Sequence, residues 1–272
     1  MSKTKYGQNQ VVKEVLDTFN TIKSTTKNFI KNKDGARKGQ MVLGDAGMGK
    51  TTAVVNGILE CKYADNVEYL KGANVTAPAT YVKLFLNRGA DRIVVFDDVD
   101  IIHKPLGDRM DIIEMFKAAT EPTIRDRFLS WERANDNTLM RLHDVPRKFK
   151  FEGRIIWITN DTMSDIEHAT KSHFFALMSR LNPIEARFSK EQKLMYTNHL
   201  IEECDMLGKK CDLREGGYSN VVISKVLDYF NKNYRNLREV TPRIAGLMAD
   251  TIHSNPKDWE IMLDRTMIRE NW

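Results

Sequence analysis

Val11, Val12, Val15, Leu16, Phe19 and Ile22 fall on one face of a helix whose other face carries Lys13, Glu14, Asp17 and Lys23. The pattern predicts an amphipathic helix. Lys31 to Lys38 (KNKDGARK) is polar, contains Asp34-Gly35 and reads as a loop before a short buried strand, Met41-Val42-Leu43. A glycine-rich turn follows, helical spacing resumes over Thr51 to Glu60, and Val67 to Leu70 reads as a second strand. Thr76 is placed to cap a helix from Ala77 to about Arg88, with Pro78 tolerated in its first turn. Arg92 to Phe96 (RIVVF) and Arg154 to Thr159 (RIIWIT) are continuous apolar, β-branched runs that suit central strands of a parallel sheet covered on both faces. Between them, Leu106 to Lys117 reads as a helix, while Arg125 to His143 has mixed charge and no clean period, as in a hairpin or an insertion. After about Ser189 the β-branched runs stop. Helical patterns then occupy Lys190 to Leu207, Tyr218 to Tyr234, Val240 to His253 and Trp259 to Ile268. The expected fold class is α/β: a body over 1–188 with a parallel sheet sandwiched by helices, followed by a small all-helical lid over 189–272.

Composition narrows this picture only slightly. The 272 residues are 42% hydrophobic and 29% charged, an ordinary globular balance that excludes disordered and fibrous classes. The net charge of +5 is too mild to announce a nucleic-acid binder. Cys61, Cys204 and Cys211 have no CxxC or Cys/His spacing and read as reduced thiols, with neither zinc nor a disulfide framework. The start, MSKTKYGQNQ, has charge but no apolar run behind it, and no stretch approaches a membrane span, so a cytoplasmic protein with no anchor is expected.

The glycine-rich turn carries the chemistry. Gly44-Asp45-Ala46-Gly47-Met48-Gly49-Lys50-Thr51 fits G-x-x-x-x-G-K-[ST] and sits between a strand and a helix. Its glycines let backbone N–H groups turn inward around phosphates, the following helix points its positive end at them, Lys50 neutralises their charge and Thr51 ligates Mg²⁺. Thr52 is the next helical residue. Asp97 and Asp98 leave the carboxyl end of a buried strand, where ligands bind in open α/β sheets. Asp97 is the candidate for the metal shell and Asp98 for orienting an attacking water. Asp100 is read as a helix cap rather than a third member.

GDAGMGKT, the run ending in Asp97-Asp98, the run ending in Thr159-Asn160, and Thr241-Pro242-Arg243-Ile244-Ala245 among the C-terminal helices together resemble an AAA+ ATPase over roughly residues 39 to 255. The resemblance implies ATP and Mg²⁺ as cofactors. It implies further that Asn160 helps hold the attacking water, and that Arg243 senses the γ-phosphate from the lid, with Arg238 as an alternative. The segment Ala176 to Leu181 resembles the stretch that sends an arginine into the neighbouring subunit's ATP site, making Arg180 the trans candidate, Arg187 the runner-up, and a homo-oligomeric ring or spiral the expected assembly. Two departures stand out. The family usually has Asp-Glu where this chain has Asp97-Asp98, and no aromatic-glycine pore motif is visible in Lys71 to Thr76 (KGANVT). No LSGGQ-like stretch is present, against a transporter-type ATPase.

For a substrate, Arg147-Lys148-Phe149-Lys150-Phe151 interleaves basic and aromatic residues, a composition suited to tracking a phosphate backbone while stacking bases. The same alternation describes a strand with Phe149 and Phe151 inward, which is the reading preferred here. Compact AAA+ chains look most like replication-associated ATPases, helicase loaders and small phage ATPases. That analogy implies a remodeller of DNA or of a DNA-bound complex, with a protein-remodelling ATPase or an ATP-gated assembly module as alternatives. Of the positive charges, Lys50, Arg180, Arg238 and Arg243 are the ones directed at ATP on this reading, which further weakens net charge as a sign of DNA binding.

Overall fold

The computed structural model describes residues 9–72, 75–133, 137–161 and 168–269. In chain order the elements are α1 (Gln10–Lys31), β1 (Gly39–Gly44), α2 (Lys50–Glu60), β2 (Val67–Lys71), α3 (Ala77–Leu86), β3 (Ile93–Asp97), α4 (Leu106–Ala119), β4 (Phe128–Ser130), α5 (Thr138–Leu142), β5 (Lys148–Lys150), β6 (Arg154–Thr159), α6 (His168–Met178), β7 (Pro183–Ala186), α7 (Lys190–Glu202), α8 (Asn220–Asn233), α9 (Pro242–Ser254) and α10 (Trp259–Met267). Five strands form one sheet in the order β2-β3-β6-β1-β7, every pairing parallel, and β4 and β5 pair antiparallel in a separate ribbon. This is the α/β class that the sequence predicts. By its internal contacts the chain divides into two compact units, one of residues 20–44 and 50–186, the other of residues 9–19, 45–49 and 187–269.

In the sheet unit, Met41, Leu43, Val94, Phe96, Ile155 and Trp157 alternate along three strands and enter one core with Tyr81 of α3, Phe116 of α4 and Phe174 of α6. Phe116 packs its ring 4.8 Å from Phe96 and 5.8 Å from Trp157, centroid to centroid. On the other face, Gln40 donates to the Thr26 hydroxyl of α1 at 3.0 Å. Helix α1 outruns the predicted stripe because Thr26, Phe29 and Ile30 continue it as buried positions. Gly57 of α2 lies where a Cβ would stand 3.0 Å from the Lys23 carbonyl, so the absence of a side chain lets α1 and α2 cross closely.

Several expectations change. Strand β7 was not predicted: Pro183-Ile184-Glu185-Ala186 has no apolar run, because an edge strand pairs on one side only and keeps half of itself in solvent. Asp100 caps no α-helix; its carboxylate accepts from the His103 N–H at 3.0 Å in a turn, and α4 starts at Leu106 behind Pro105. The irregular stretch Arg125 to His143 contains β4, the hairpin partner of β5, and the short α5; residues 134–136 lie outside the described residues. Phe149 and Phe151 are buried and Lys148 exposed, as the strand reading requires. Within Lys71 to Thr76, residues 73 and 74 lie outside the described residues.

In the helical unit, α7 to α10 surround a core that includes Leu194, Val226, Phe230, Met248, Ile252 and Leu263. Ser189 opens α7 with a capping box, its side chain accepting from the Gln192 N–H while the Gln192 side chain returns to the Ser189 N–H. Helix α7 ends at Glu202, one and a half turns before the predicted Leu207. Ser219 and Thr241 cap α8 and α9 in the same Ser/Thr manner. Among the described residues no helix is long and apolar enough to cross a membrane.

Candidate nucleotide site

The register of the sheet decides what meets at its carboxyl end. Leu43 of β1 pairs with Thr159 of β6, and Asp97 of β3 pairs with Ile158, so Asp97, Asp98 and Asn160 leave the carboxyl ends of neighbouring strands, where Asn160 meets Lys50 at the start of α2. The chain leaving β1 travels toward β2 on one side and the chain leaving β6 toward β7 on the other. Such a reversal opens a crevice between adjacent strands, the usual ligand position of an open α/β sheet.

The loop from Gly44 to Gly49 is shaped by three left-handed glycines: φ is 144° at Gly44, 69° at Gly47 and 113° at Gly49. At Gly44 a Cβ would stand 2.1 Å from the Ala186 carbonyl oxygen of β7. Helix α2 begins at Lys50, so Thr51 and the exposed Thr52 lie in its first turn, the end of a helix that suits anions.

Lys50 is 5% exposed, and its ammonium donates to the Gly44 carbonyl and to Asn160 Oδ1, both at 2.8 Å. Asn160 Nδ2 in turn donates to Asp98 Oδ1. One amide therefore bridges the loop lysine and the candidate water-orienting carboxylate. Asp98 itself has φ 55°, a backbone conformation that aspartate tolerates better than longer side chains, and its N–H donates to the Ile158 carbonyl. Beside it, the Thr51 hydroxyl lies 2.9 and 3.1 Å from the two oxygens of Asp97, which is buried. A hydroxyl and a carboxylate at this separation are the hard-oxygen donors that Mg²⁺ takes from a protein when phosphates and water complete its shell. Among the described residues no cluster of three or more His, Cys, Asp or Glu could hold a metal on its own.

Tyr69, absent from the sequence reading, also reaches this carboxylate: its hydroxyl donates to Asp97 Oδ2 at 2.9 Å. Burial first, then the Asp97 charge and hydrogen bond, push the Tyr69 phenol well above its ordinary pKa, so it remains a donor. No local motif could have found it, since the pair spans two strands.

Within the helical unit, the loop segment 45–49 has its own neighbours. Asp45 Oδ2 accepts from the Phe188 N–H at 3.1 Å and lies 3.0 Å from the Lys193 ammonium. Gly47 lies against α9, where a Cβ would meet Arg243 Cβ at 3.2 Å and Nε at 3.4 Å. Ala46 is half-buried, whereas Met48 is 1% exposed. Near Gly49, Phe19 stacks within 5.4 Å of Tyr196 and 5.7 Å of Phe188. Burial, with the Cys204 thiol nearby, pushes Tyr196 up to about 12. Arg238 is turned elsewhere, its guanidinium donating to the Thr266 carbonyl.

Arg180 stands at the other end of the sheet. It follows α6, pairs with Glu121 at 3.3 Å and donates to the Ala176 carbonyl at 2.9 Å. Its neighbours Leu181 and Asn182 contact Gly39, the first residue of β1. The five-residue rise of β1 therefore separates it from the loop, a distance of about 16 Å. Arg187, half-buried, follows β7 directly.

No family model matches the chain. It is similar to an uncharacterized 36.7 kDa protein of the nrdC-mobD intergenic region of Enterobacteria phage T4, with 27% identity over 247 residues, covering 89% of this chain and 71% of that one. Among solved structures it is similar to NtrX from Brucella abortus in complex with ATP, at a TM-score of 0.48 and 12% identity over 93% of this chain and 52% of the other. NtrX in complex with ADP gives 0.47 and 13%, over 87% and 50%. A JCV helicase gives 0.34 and 14%, over 90% and 60%. The chain thus spans about half the length of the NtrX chains.

Proposed function

We propose that the chain is an ATP hydrolase of the AAA+ type. The observation that carries this reading is the convergence, at the carboxyl end of the central strands, of Lys50, the Thr51–Asp97 pair and the Asn160–Asp98 pair, in a chain whose preceding loop glycines adopt left-handed conformations. The loop amides of Gly44 to Gly49, the first turn of α2 with Thr52, and Lys50 would hold the phosphates. Thr51 and Asp97 would hold Mg²⁺, which neutralises charge on the β- and γ-phosphates. Asp98 would accept the proton of an in-line water that Asn160 helps to orient. Arg243, against the loop at Gly47, would register the γ-phosphate. Arg180, a strand's length from its own chain's loop, would serve a neighbouring protomer's ATP in a homo-oligomeric ring or spiral. The remodelled substrate would be DNA or a DNA-bound complex, with a protein partner or ATP-gated assembly as the alternatives.

The first test is nucleotide binding. Lys50→Ala should weaken ATP binding by at least a hundredfold in equilibrium titration; undiminished affinity overturns the site. The substrate is tested by ATPase rate with and without single- and double-stranded DNA. Stimulation that falls steeply with salt favours DNA, and stimulation by a protein partner alone favours the alternative.

A further inference from the structure

We propose that Tyr69 is a positioning residue of the magnesium shell, acting through Asp97; this rests on the nucleotide-site reading above. Tyr69 of β2 pairs in register with Val95 of β3, two residues before Asp97. A tyrosine leaning along its strand is long enough to reach that diagonal position, and its hydroxyl meets Asp97 Oδ2 at 2.9 Å. Asp97 is 2% exposed, so its charge is satisfied by side chains rather than bulk water. Thr51 approaches from α2 and Tyr69 from β2. The two hydroxyls fix the rotation of the carboxylate about its Cβ–Cγ bond. With Oδ2 occupied by the phenol, Oδ1 is the oxygen left to share an ion with the Thr51 hydroxyl. Groups that orient a metal's ligands in this way typically change metal affinity ten- to a hundredfold when removed.

Tyr69→Phe removes the hydroxyl and keeps the ring. The readout is the gain in affinity for a fluorescent ATP analogue when Mg²⁺ replaces EDTA, measured beside the Mg²⁺ concentration for half-maximal ATPase. In Tyr69→Phe, affinity in EDTA should match wild type, the Mg²⁺-dependent gain should shrink about tenfold, and half-saturation should move to about tenfold higher Mg²⁺. In an Asp97→Asn background, adding Tyr69→Phe should change neither quantity, because the residue acts through that carboxylate. A wild-type Mg²⁺-dependent gain preserved in Tyr69→Phe overturns the assignment while leaving the nucleotide site standing. A full effect in the Asp97→Asn background overturns it too. If wild type shows no Mg²⁺-dependent gain, the site reading falls, and this inference with it.

Discussion

Asn160 holds two groups that the proposed reaction uses at different moments. Its carbonyl oxygen takes the Lys50 ammonium, and its amide nitrogen serves Asp98. Incoming phosphate must compete for Lys50, and a hydrogen bond to a charged group contributes roughly 1.5–3 kcal/mol net. Asn160→Ala should therefore bind ATP as tightly as wild type or up to about tenfold more tightly, while turnover falls about a hundredfold for want of a water-orienting amide. Titration and steady-state kinetics separate the two, and parallel loss of binding and turnover contradicts this account. The residues of the loop, with Asp97, Asp98 and Asn160, were readable in the sequence because each is written locally, as a motif or as the polar residue ending an apolar run. Tyr69 and Lys193 were not. Their partners lie 28 and 148 positions away, and only the folded register brings Tyr69 to Asp97 and Lys193 to Asp45.

Elements buried on both faces were the most legible. The runs RIVVF and RIIWIT became β3 and β6 because a parallel central strand has no solvent face on which to place polar residues. The end of α1 was less visible, since Arg154, far along the chain, finishes it. This fully buried guanidinium donates to the Phe29 and Ile30 carbonyls in the last turn of α1 and to the Tyr63 hydroxyl at 3.1 Å. A cation at a helix C-terminus answers both the unpaired carbonyls and the negative end of the dipole. Burial pushes the Arg154 pKa below its ordinary value, yet arginine starts high enough to stay charged. Arg154→Met leaves two buried carbonyls without their donor and should lower unfolding free energy by about 3 kcal/mol in urea denaturation. Arg154→Lys should recover only part of this, because an ammonium cannot reproduce the planar fork. A loss below about 0.5 kcal/mol in Arg154→Met would show that the cap is dispensable.

At the scale of the molecule, the proposed chemistry needs more than one copy. Mixing Arg180→Ala with Asp98→Asn protein should restore ATPase activity well above the sum of the two alone, since some interfaces then combine an intact Asp98 with an intact neighbouring Arg180. Activity that merely tracks dilution refutes supply in trans. The position of Arg180 also has a consequence for symmetry. On the proposed supply in trans, a protomer that offers its loop at one end of β1 and its arginine at the other would present two different surfaces, and its contact with a neighbour would be head-to-tail. A two-fold dimer would satisfy such a contact only if one face carried both the loop and the arginine, each copy then serving the other. In the head-to-tail arrangement copies would add in one direction until the rotation closed on itself or the array climbed as a helix. In such an open array the last protomer would hold nucleotide with no arginine from beyond it, so the two ends of the proposed assembly would be chemically unequal, with a direction of growth written into one strand.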